Sequence, residues 1–201
     1  VNARTDEVFG RQFEQAESKE QVLKVLGQAA TKMRRKLGES LSSIGQFDTP
    51  LEEATTGSLD ALKHYSYAQE LQFSGKTIEA IPFYKKAIEF DPNFATVYLT
   101  LGVAYANTNQ WKLATEIVSK AFALRNAVSE WEKLQISYFY YAYVTGEVDK
   151  QIETLELWKK TYPKRTFASI NLASCYERIG QSEKAVSIAR EGLRIDSTNA
   201  I

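Results

Sequence analysis

His64 and Cys175 are the first candidates for chemistry, because the chain contains one His and one Cys. Such side chains act as a base or a nucleophile only when a partner group activates them. No Cys, Ser and Asp pattern accompanies His64, and Cys175 stands within a predicted helix, so both are interpreted as packing residues. One thiol and one imidazole also exclude an internal disulfide, a Cys-based zinc site and a His-pair metal site. The acidic pair Glu52–Glu53 fits a solvated face, since a hydrolytic dyad needs a concave site.

The charge balance and the glycine spacing exclude further classes of site. The chain has 201 residues, with 25 Lys and Arg against 25 Asp and Glu, which argues against nucleic-acid binding. No Gly-x-Gly occurs, so neither a dinucleotide loop nor a kinase phosphate loop is present. The basic run from Lys32 to Lys36 is interpreted as the last turn of a helix, where cations complement the dipole, with Met33 and Leu37 on a buried face. We expect no catalytic residue, no cofactor and no metal.

The sequence shows no targeting or membrane-spanning segment. Its longest apolar run, Tyr138 to Val144, is far too short to cross a bilayer as a helix. The chain begins Val1-Asn2-Ala3-Arg4, without Met and without a signal-peptide pattern. We therefore expect a piece of a longer protein that does not itself contact a membrane.

An internal repeat organises most of the chain. Units of about 34 residues begin at Ala61, Ala95, Glu132 and Thr166. In each unit, small residues are expected at positions 8, 20 and 27, where two helices approach closely, and Gly is expected at the turn at position 15. In the first unit these positions are occupied by Ala68, Ala80, Ala87 and Gly75.

This pattern resembles the tetratricopeptide repeat family over residues 61–199. The resemblance implies an all-α fold, a right-handed superhelix of antiparallel helix pairs, with repeats at about 61–94, 95–128, 132–165 and 166–199. Apolar residues at helical spacing predict an amphipathic helix over about 18–38 before the repeats. We expect an N-terminal segment at 1–57, made of this helix and a linker, and a repeat array at 58–201.

The units also depart from the pattern in particular places. Asn109 replaces the turn Gly of the second unit, and Phe139, Gln151 and Trp158 replace small residues in the third. The third unit should therefore pack less regularly than its neighbours. The run Ser129-Glu130-Trp131-Glu132 is typical of a capping box, so its first helix should begin early.

The tetratricopeptide resemblance implies that the first helix of each repeat lines a concave, partner-binding groove. Transferring the groove positions to this sequence gives Tyr65, Gln69, Phe73, Leu99, Val103, Asn107, Lys133, Ile136, Tyr140, Tyr143, Phe167, Ile170, Glu177 and Arg178. This surface is apolar and aromatic with few charges. The Lys and Asn residues that clamp a C-terminal carboxylate in chaperone-adaptor repeats are replaced here by Tyr65 and Gln69, so that clamp is absent.

The aromatic run from Tyr138 to Tyr143 has two readings, because five aromatic residues in six surround most of a helix. In one, Tyr138, Phe139 and Tyr141 pack against helices of the second and third units. In the other, Tyr140 and Tyr143 are left in the groove as anchors for a bound segment.

The N-terminal stretch carries a second, narrower resemblance. The runs at 18–41, 47–51 and 54–62 resemble a junction in large bacterial Ser/Thr protein kinases that end in tetratricopeptide repeats. The resemblance implies a non-catalytic C-terminal region of such a kinase. It leaves open whether this region is extracytoplasmic, behind a membrane anchor, or cytoplasmic.

The leading functional hypothesis is a protein-interaction scaffold that binds a peptide or a partner domain in the groove. The alternative is a structural spacer or self-association module, in which copies form a homo-oligomer through the exposed apolar face of the fourth repeat. An enzyme acting on a small molecule or a glycan is the least favoured class, because no acid–base constellation is present.

Overall fold

The structure, a computed structural model, describes residues 11–18, 21–38, 56–163 and 165–199. Within these residues the regular structure is helical and no strand occurs, which confirms the all-α prediction. The helices are α1 (Val22–Lys36), α2 (Leu59–Phe73), α3 (Thr77–Phe90), α4 (Ala95–Asn107), α5 (Trp111–Leu124), α6 (Glu130–Tyr140), α7 (Val148–Thr161), α8 (Thr166–Arg178) and α9 (Ser182–Asn199). A 3₁₀ turn at Arg125–Ala127 precedes α6, and a π-helical turn at Tyr141–Thr145 follows it.

The chain forms two compact units. The first contains the described residues up to Val97 together with Ala127–Ser129, and the second contains Tyr98–Asn126 and the described residues from Glu130 onward. The first unit contains α1, α2, α3 and the first three residues of α4. The second contains α4 from Tyr98 onward and all later helices.

Tight turns join the two helices of each pair, and each turn contains a residue in the left-handed region. Gly75, Gly146 and Gly180 have φ between 71° and 78°, as expected for glycine at the end of a helix. Asn109 has φ of 61° at the corresponding turn of the second pair. Asn tolerates this conformation better than most residues, so the departure in the sequence preserves the geometry.

Small residues allow the paired helices to approach closely, as the repeat pattern predicts. Ala68, Ala80 and Ala87 are fully buried between α2 and α3. Between α4 and α5 the fit is tighter, because a Cβ atom added to Gly102 would lie 2.4 Å from Cγ2 of Val118. The backbones therefore meet at distances that a larger side chain at position 8 would prevent.

The third pair, α6 and α7, is the least regular, as predicted. Its first helix begins at Glu130, ahead of the start of the repeat unit at Glu132, and ends in the π-helical turn. Gln151 and Trp158 occupy the two positions of α7 where small residues were expected, and both are buried. Trp131 packs edge-on against Trp158 with ring centroids 4.9 Å apart, which fills the wider space between the helices.

The N-terminal helix lies inside its predicted range, and Arg34, Arg35 and Lys36 of the basic run stand in its last turn. Lys36 Nζ donates to the main-chain oxygen of Arg11 at 3.0 Å, and Lys32 pairs with Glu14 at 2.7 Å. The prediction that Leu37 is buried is wrong. Leu37 is exposed, because it follows the helix as its C-terminal cap.

Candidate functional site

His64 and Cys175 are packing residues in the structure. The His64 ring stacks on Phe90 with centroids 5.3 Å apart and an interplanar angle of 9°. Cys175 is buried in the second unit, and burial raises the pKa of its thiol. A raised pKa lowers the thiolate population, which is the nucleophilic form. Both interpretations made from the sequence are therefore confirmed.

In the part of the chain that the structure describes, we find neither a cluster of metal ligands nor a membrane-spanning helix. No group of three or more His, Cys, Asp or Glu side chains is arranged there to hold a metal ion. The pair Glu52–Glu53 lies outside the described residues. No described helix is both long and apolar enough to cross a bilayer.

The tripeptide Gly75-Lys76-Thr77 has the residues that end a phosphate-binding loop, but not its context. Such a loop needs a Gly five residues before its last Gly, where this chain has Glu70, and it follows a strand. Here the tripeptide follows α2, and Thr77 is the first residue of α3. It therefore forms the turn of the first helix pair.

The predicted groove residues of the first unit form a row along α2. Tyr65, Gln69 and Phe73 are spaced by four residues, which places them on one face of the helix. Gln69 Nε2 donates to the Tyr65 hydroxyl at 2.6 Å, and the Tyr65 ring lies 5.1 Å from that of Phe94. Phe73 is 86% exposed. The row therefore has an anchored base and a free apolar end.

In the second unit the predicted groove residues divide by burial. Leu99 and Ile136 are buried, so they contribute to packing and present almost no surface to a partner. The half-buried members are Val103, Lys133, Tyr140, Tyr143 and Phe167, and the exposed members are Asn107, Ile170, Glu177 and Arg178.

Tyr140 and Tyr143, the residues proposed as groove anchors, pack against α5. The Tyr140 ring stacks on Phe122 with centroids 3.7 Å apart and an interplanar angle of 9°. The guanidinium carbon of Arg125 also lies 3.7 Å from the Phe122 centroid. Tyr143 meets Trp111 edge-on at 5.5 Å, and its burial raises its pKa. These rings stabilise the second unit, which differs from the expectation of two unpartnered anchors.

The other aromatic residues of the run also pack, two of them against the fourth pair, which the expectation did not include. Tyr141 contacts Phe122 of the second pair at 5.8 Å. Tyr138 and Phe139 instead lie 6.0 and 6.2 Å from Phe167 of the fourth pair. The Phe167 ring also lies 4.9 Å from Trp158, so this predicted groove residue joins α8 to the third pair.

Arg178 is hydrogen-bonded to the buried side-chain amide of Gln151, which was not among the predicted groove residues. Its Nη1 donates to Gln151 Oε1 at 3.1 Å, and Gln151 Nε2 donates to the main-chain oxygen of Tyr141 at 3.0 Å. Gln151 appeared in the sequence as a departure from the small-residue pattern, and this was the only signal of its role.

An apolar hollow lies between α8 and α9 on the face opposite the third pair. Its volume is about 480 Å³, and it includes two predicted groove residues, Ile170 and Glu177. Most of the remaining lining is small or aliphatic, contributed by Thr166, Ala173, Ser174, Ser182, Ala185, Val186, Ala189, Gly192 and Leu193. The predicted groove residues all come from the first helices of the repeats. The prediction therefore did not include the α9 residues that line this hollow.

Comparisons with known proteins agree with the repeat pattern. A family model described as TPR repeat matches residues 74–109, and one described as tetratricopeptide repeat matches residues 168–199. No sequence among the curated proteins matches the chain.

Two solved structures share the fold. A crystal structure of MamA aligns with a TM-score of 0.50 at 19% identity, covering 94% of this chain and 99% of that one. The structure of MamA from residue 41 to its end, from Desulfovibrio magneticus RS-1, aligns with a TM-score of 0.51 at 14% identity, covering 91% and 98%. At such identities the likeness concerns the fold alone. Together, the two matched segments and the helix pairs identify tetratricopeptide repeats in the part of the chain that the structure describes.

Proposed function

We propose that this chain is a non-catalytic protein-interaction scaffold that binds a peptide or a partner domain along the first helices of its repeats. The observation that carries the proposal is Phe73, which is 86% exposed at the end of the row formed with Tyr65 and Gln69. Covering a large, water-exposed aromatic side chain with a partner lowers the free energy of the complex. Its anchored neighbours fix the position at which the partner would meet it.

The exposed groove residues indicate the chemistry of the ligand. Phe73 and Ile170 offer apolar surface, while Asn107 carries an amide suited to the main chain of a bound segment. The chain has no net charge to steer a charged ligand from a distance. The favoured ligand is therefore a segment with aromatic or aliphatic anchors and low net charge.

Peptide selection against the full chain tests this proposal. Displayed random peptides that bind the chain should be rich in aromatic and aliphatic residues, and their affinity should depend weakly on salt. Fluorescence anisotropy with one selected peptide then compares the wild type with Phe73→Ser. We expect a loss of at least about tenfold in affinity, since truncating such an anchor costs about 1–2 kcal/mol or more.

The matched control is Leu157→Ser, which replaces an exposed apolar residue on the second helix of the third pair. It should leave the affinity unchanged. Equal affinities of the wild type and Phe73→Ser would show that the peptides bind elsewhere and would reject the assignment to α2.

The finer part of the proposal is that the scaffold is a regulatory region of a larger bacterial Ser/Thr kinase. Its support is the sequence resemblance at 18–62, of which 19–20 and 39–55 lie outside the described residues. Sequencing the coding region upstream of Val1 tests it directly. A kinase domain in the same reading frame is the expected result, and a different upstream domain would overturn this part of the proposal.

A further inference from the structure

The fourth helix pair carries an apolar face that no other described residue covers. Around the hollow between α8 and α9, Ile170 is 60% exposed, Val186 is 50% exposed and Leu193 is 70% exposed. Single exposed apolar residues are common on protein surfaces, but a contiguous apolar hollow is typical of an interaction site.

In the third pair, the equivalent face is buried. Ile136 occupies the same repeat position as Ile170 and is fully buried, as is Leu155, the equivalent of Ala189. In the third pair, Leu155 and Trp158 of this face share a buried cluster with residues of α8, whose Phe167 lies against Trp158. The face of the fourth pair is therefore a continuation of a stacking surface that already exists within the second unit.

The fourth pair differs from the third in the size of its residues. At the position of Trp158 it has Gly192, and at the position of Leu155 it has Ala189. Small side chains at these positions leave the hollow of about 480 Å³. The surface that fits it must therefore bring bulky apolar side chains of its own.

The first helix pair presents such side chains on a strip of aromatic rings. Tyr67 meets Phe83 edge-on at 4.6 Å, and His64 stacks against Phe83 at 6.4 Å and against Phe90 at 5.3 Å. Tyr67 and Phe90 are each about half exposed. We call the four rings the aromatic strip.

The hollow lies on the face of a helix pair that would pack against the following pair. The aromatic strip lies on the other face, the one that packs against the preceding pair. In the fourth pair, the equivalents of His64 and Tyr67 are Ser169 and Leu172, which are both buried. Leu172 belongs there to the same buried cluster as Leu155 of the preceding pair. The strip therefore occupies positions that, within the second unit, cover the pair before them.

We propose that the aromatic strip of one copy packs into the hollow between α8 and α9 of a second copy. The contact repeats between molecules the pair-on-pair stacking that joins α8 to the third pair within one molecule. It joins two different surfaces, so it is heterologous and leaves each copy with one free face. Copies therefore add head to tail, and the average size of the assembly grows with concentration.

Sedimentation equilibrium of the full chain tests the proposal. The weight-average mass of the wild type should rise beyond twice the monomer mass as the concentration approaches about 1 mM, where even interfaces of low affinity form. Val186→Arg in the hollow and Tyr67→Arg in the strip should each hold the mass at that of the monomer. Leu193→Arg and Phe90→Lys provide a second variant of each surface if either of the first two fails to fold by circular dichroism.

A mixing experiment separates head-to-tail stacking from other modes. Val186→Arg keeps an intact strip and Tyr67→Arg keeps an intact hollow, so an equimolar mixture should form a one-to-one dimer and nothing larger. Leu157→Arg, which changes a comparably exposed residue outside both surfaces, should assemble like the wild type.

Three results would overturn the proposal: a wild type that stays monomeric throughout, a mixture that forms no dimer, or a dimer that either single variant forms alone. The last would indicate a symmetric contact between identical surfaces. Phe73→Ser should not change the mass, so failure of this inference is distinguishable from failure of the proposed peptide binding.

Discussion

Gln151 Nε2 donates a hydrogen bond of 3.0 Å to the main-chain oxygen of Tyr141. Tyr141 is the first residue of the π-helical turn that follows the first helix of the third pair. The same amide accepts from Arg178 of the fourth pair through its oxygen, at 3.1 Å. A π-helical turn disturbs the regular main-chain ladder and is frequent at functional sites. A side chain that breaks the small-residue pattern thus connects three helices of the second unit.

Replacing this amide with a thioether of similar length should destabilise the second unit. Gln151→Met removes the donor to Tyr141 and the acceptor for Arg178, and a lost buried partner costs about 1–3 kcal/mol. Urea unfolding should report a decrease of that size, whereas Gln181→Met, at an exposed Gln, should report almost none. Equal stability of the two variants would show that the amide contributes little.

The close approach of α4 and α5 predicts a penalty for the smallest enlargement of Gly102. Its added Cβ in Gly102→Ala meets Val118, and such overpacking costs about 1–3 kcal/mol, against about 1 kcal/mol gained from helix propensity. Urea unfolding of a double-mutant cycle with Val118→Ala tests the cause. Most of the penalty should disappear in the Val118→Ala background, and an unchanged penalty would place the strain elsewhere.

The stacking of Tyr140 predicts a loss of stability on its removal. Tyr140→Ala loses the ring contact with Phe122 and partly buried area, which together should cost about 2 kcal/mol. Phe73→Ala, at a highly exposed ring, should cost less than about 0.5 kcal/mol. Thermal unfolding of both variants gives the comparison, and equal melting temperatures would contradict the assignment of Tyr140 to packing.

Two tyrosines predict a decrease in stability at alkaline pH. Burial raises the pKa of Tyr138 to about 12, and the hydrogen bond that Tyr176 donates to Glu156 raises the pKa of Tyr176 to about 12. The unfolded chain loses these protons near pH 10, while the folded chain keeps them, so stability decreases as pH rises from about 10 to 12.

Urea unfolding at several pH values checks this expectation. Tyr176→Phe and Tyr138→Phe should each reduce the slope of stability against pH in that window, because neither variant has the proton to lose. Tyr67→Phe, at an exposed position, is the control. A slope that neither substitution changes would show that other groups govern alkaline unfolding.

Much of the fold was readable from the sequence, because each repeat depends on local requirements. A turn needs a residue that tolerates positive φ, and Gly75, Gly146 and Gly180 supply it. Close helices need small residues, and Ala68 and Ala80 supply them. The irregular third pair was also predictable, since bulky residues stood at its close-approach positions.

The candidate site was less readable, because burial depends on which helices meet. Ile136 and Ile170 occupy the same repeat position, yet one is buried and the other exposed. Position within the repeat cannot distinguish them, because the difference arises from the neighbour that covers each face. Tyr140 likewise carried no sequence signal of its stacking partner, Phe122, which precedes it by eighteen residues on another helix.

Photo-crosslinking tests the central claim most directly, since it records which side chain a ligand touches. Benzoylphenylalanine is placed at residue 73 in one variant and at residue 157 in another, and each variant is irradiated with the peptide selected against the wild type. We predict a covalent adduct at residue 73, on the exposed end of the α2 row, and none at residue 157 on α7. An adduct at residue 157 together with none at residue 73 would contradict binding along the first helices.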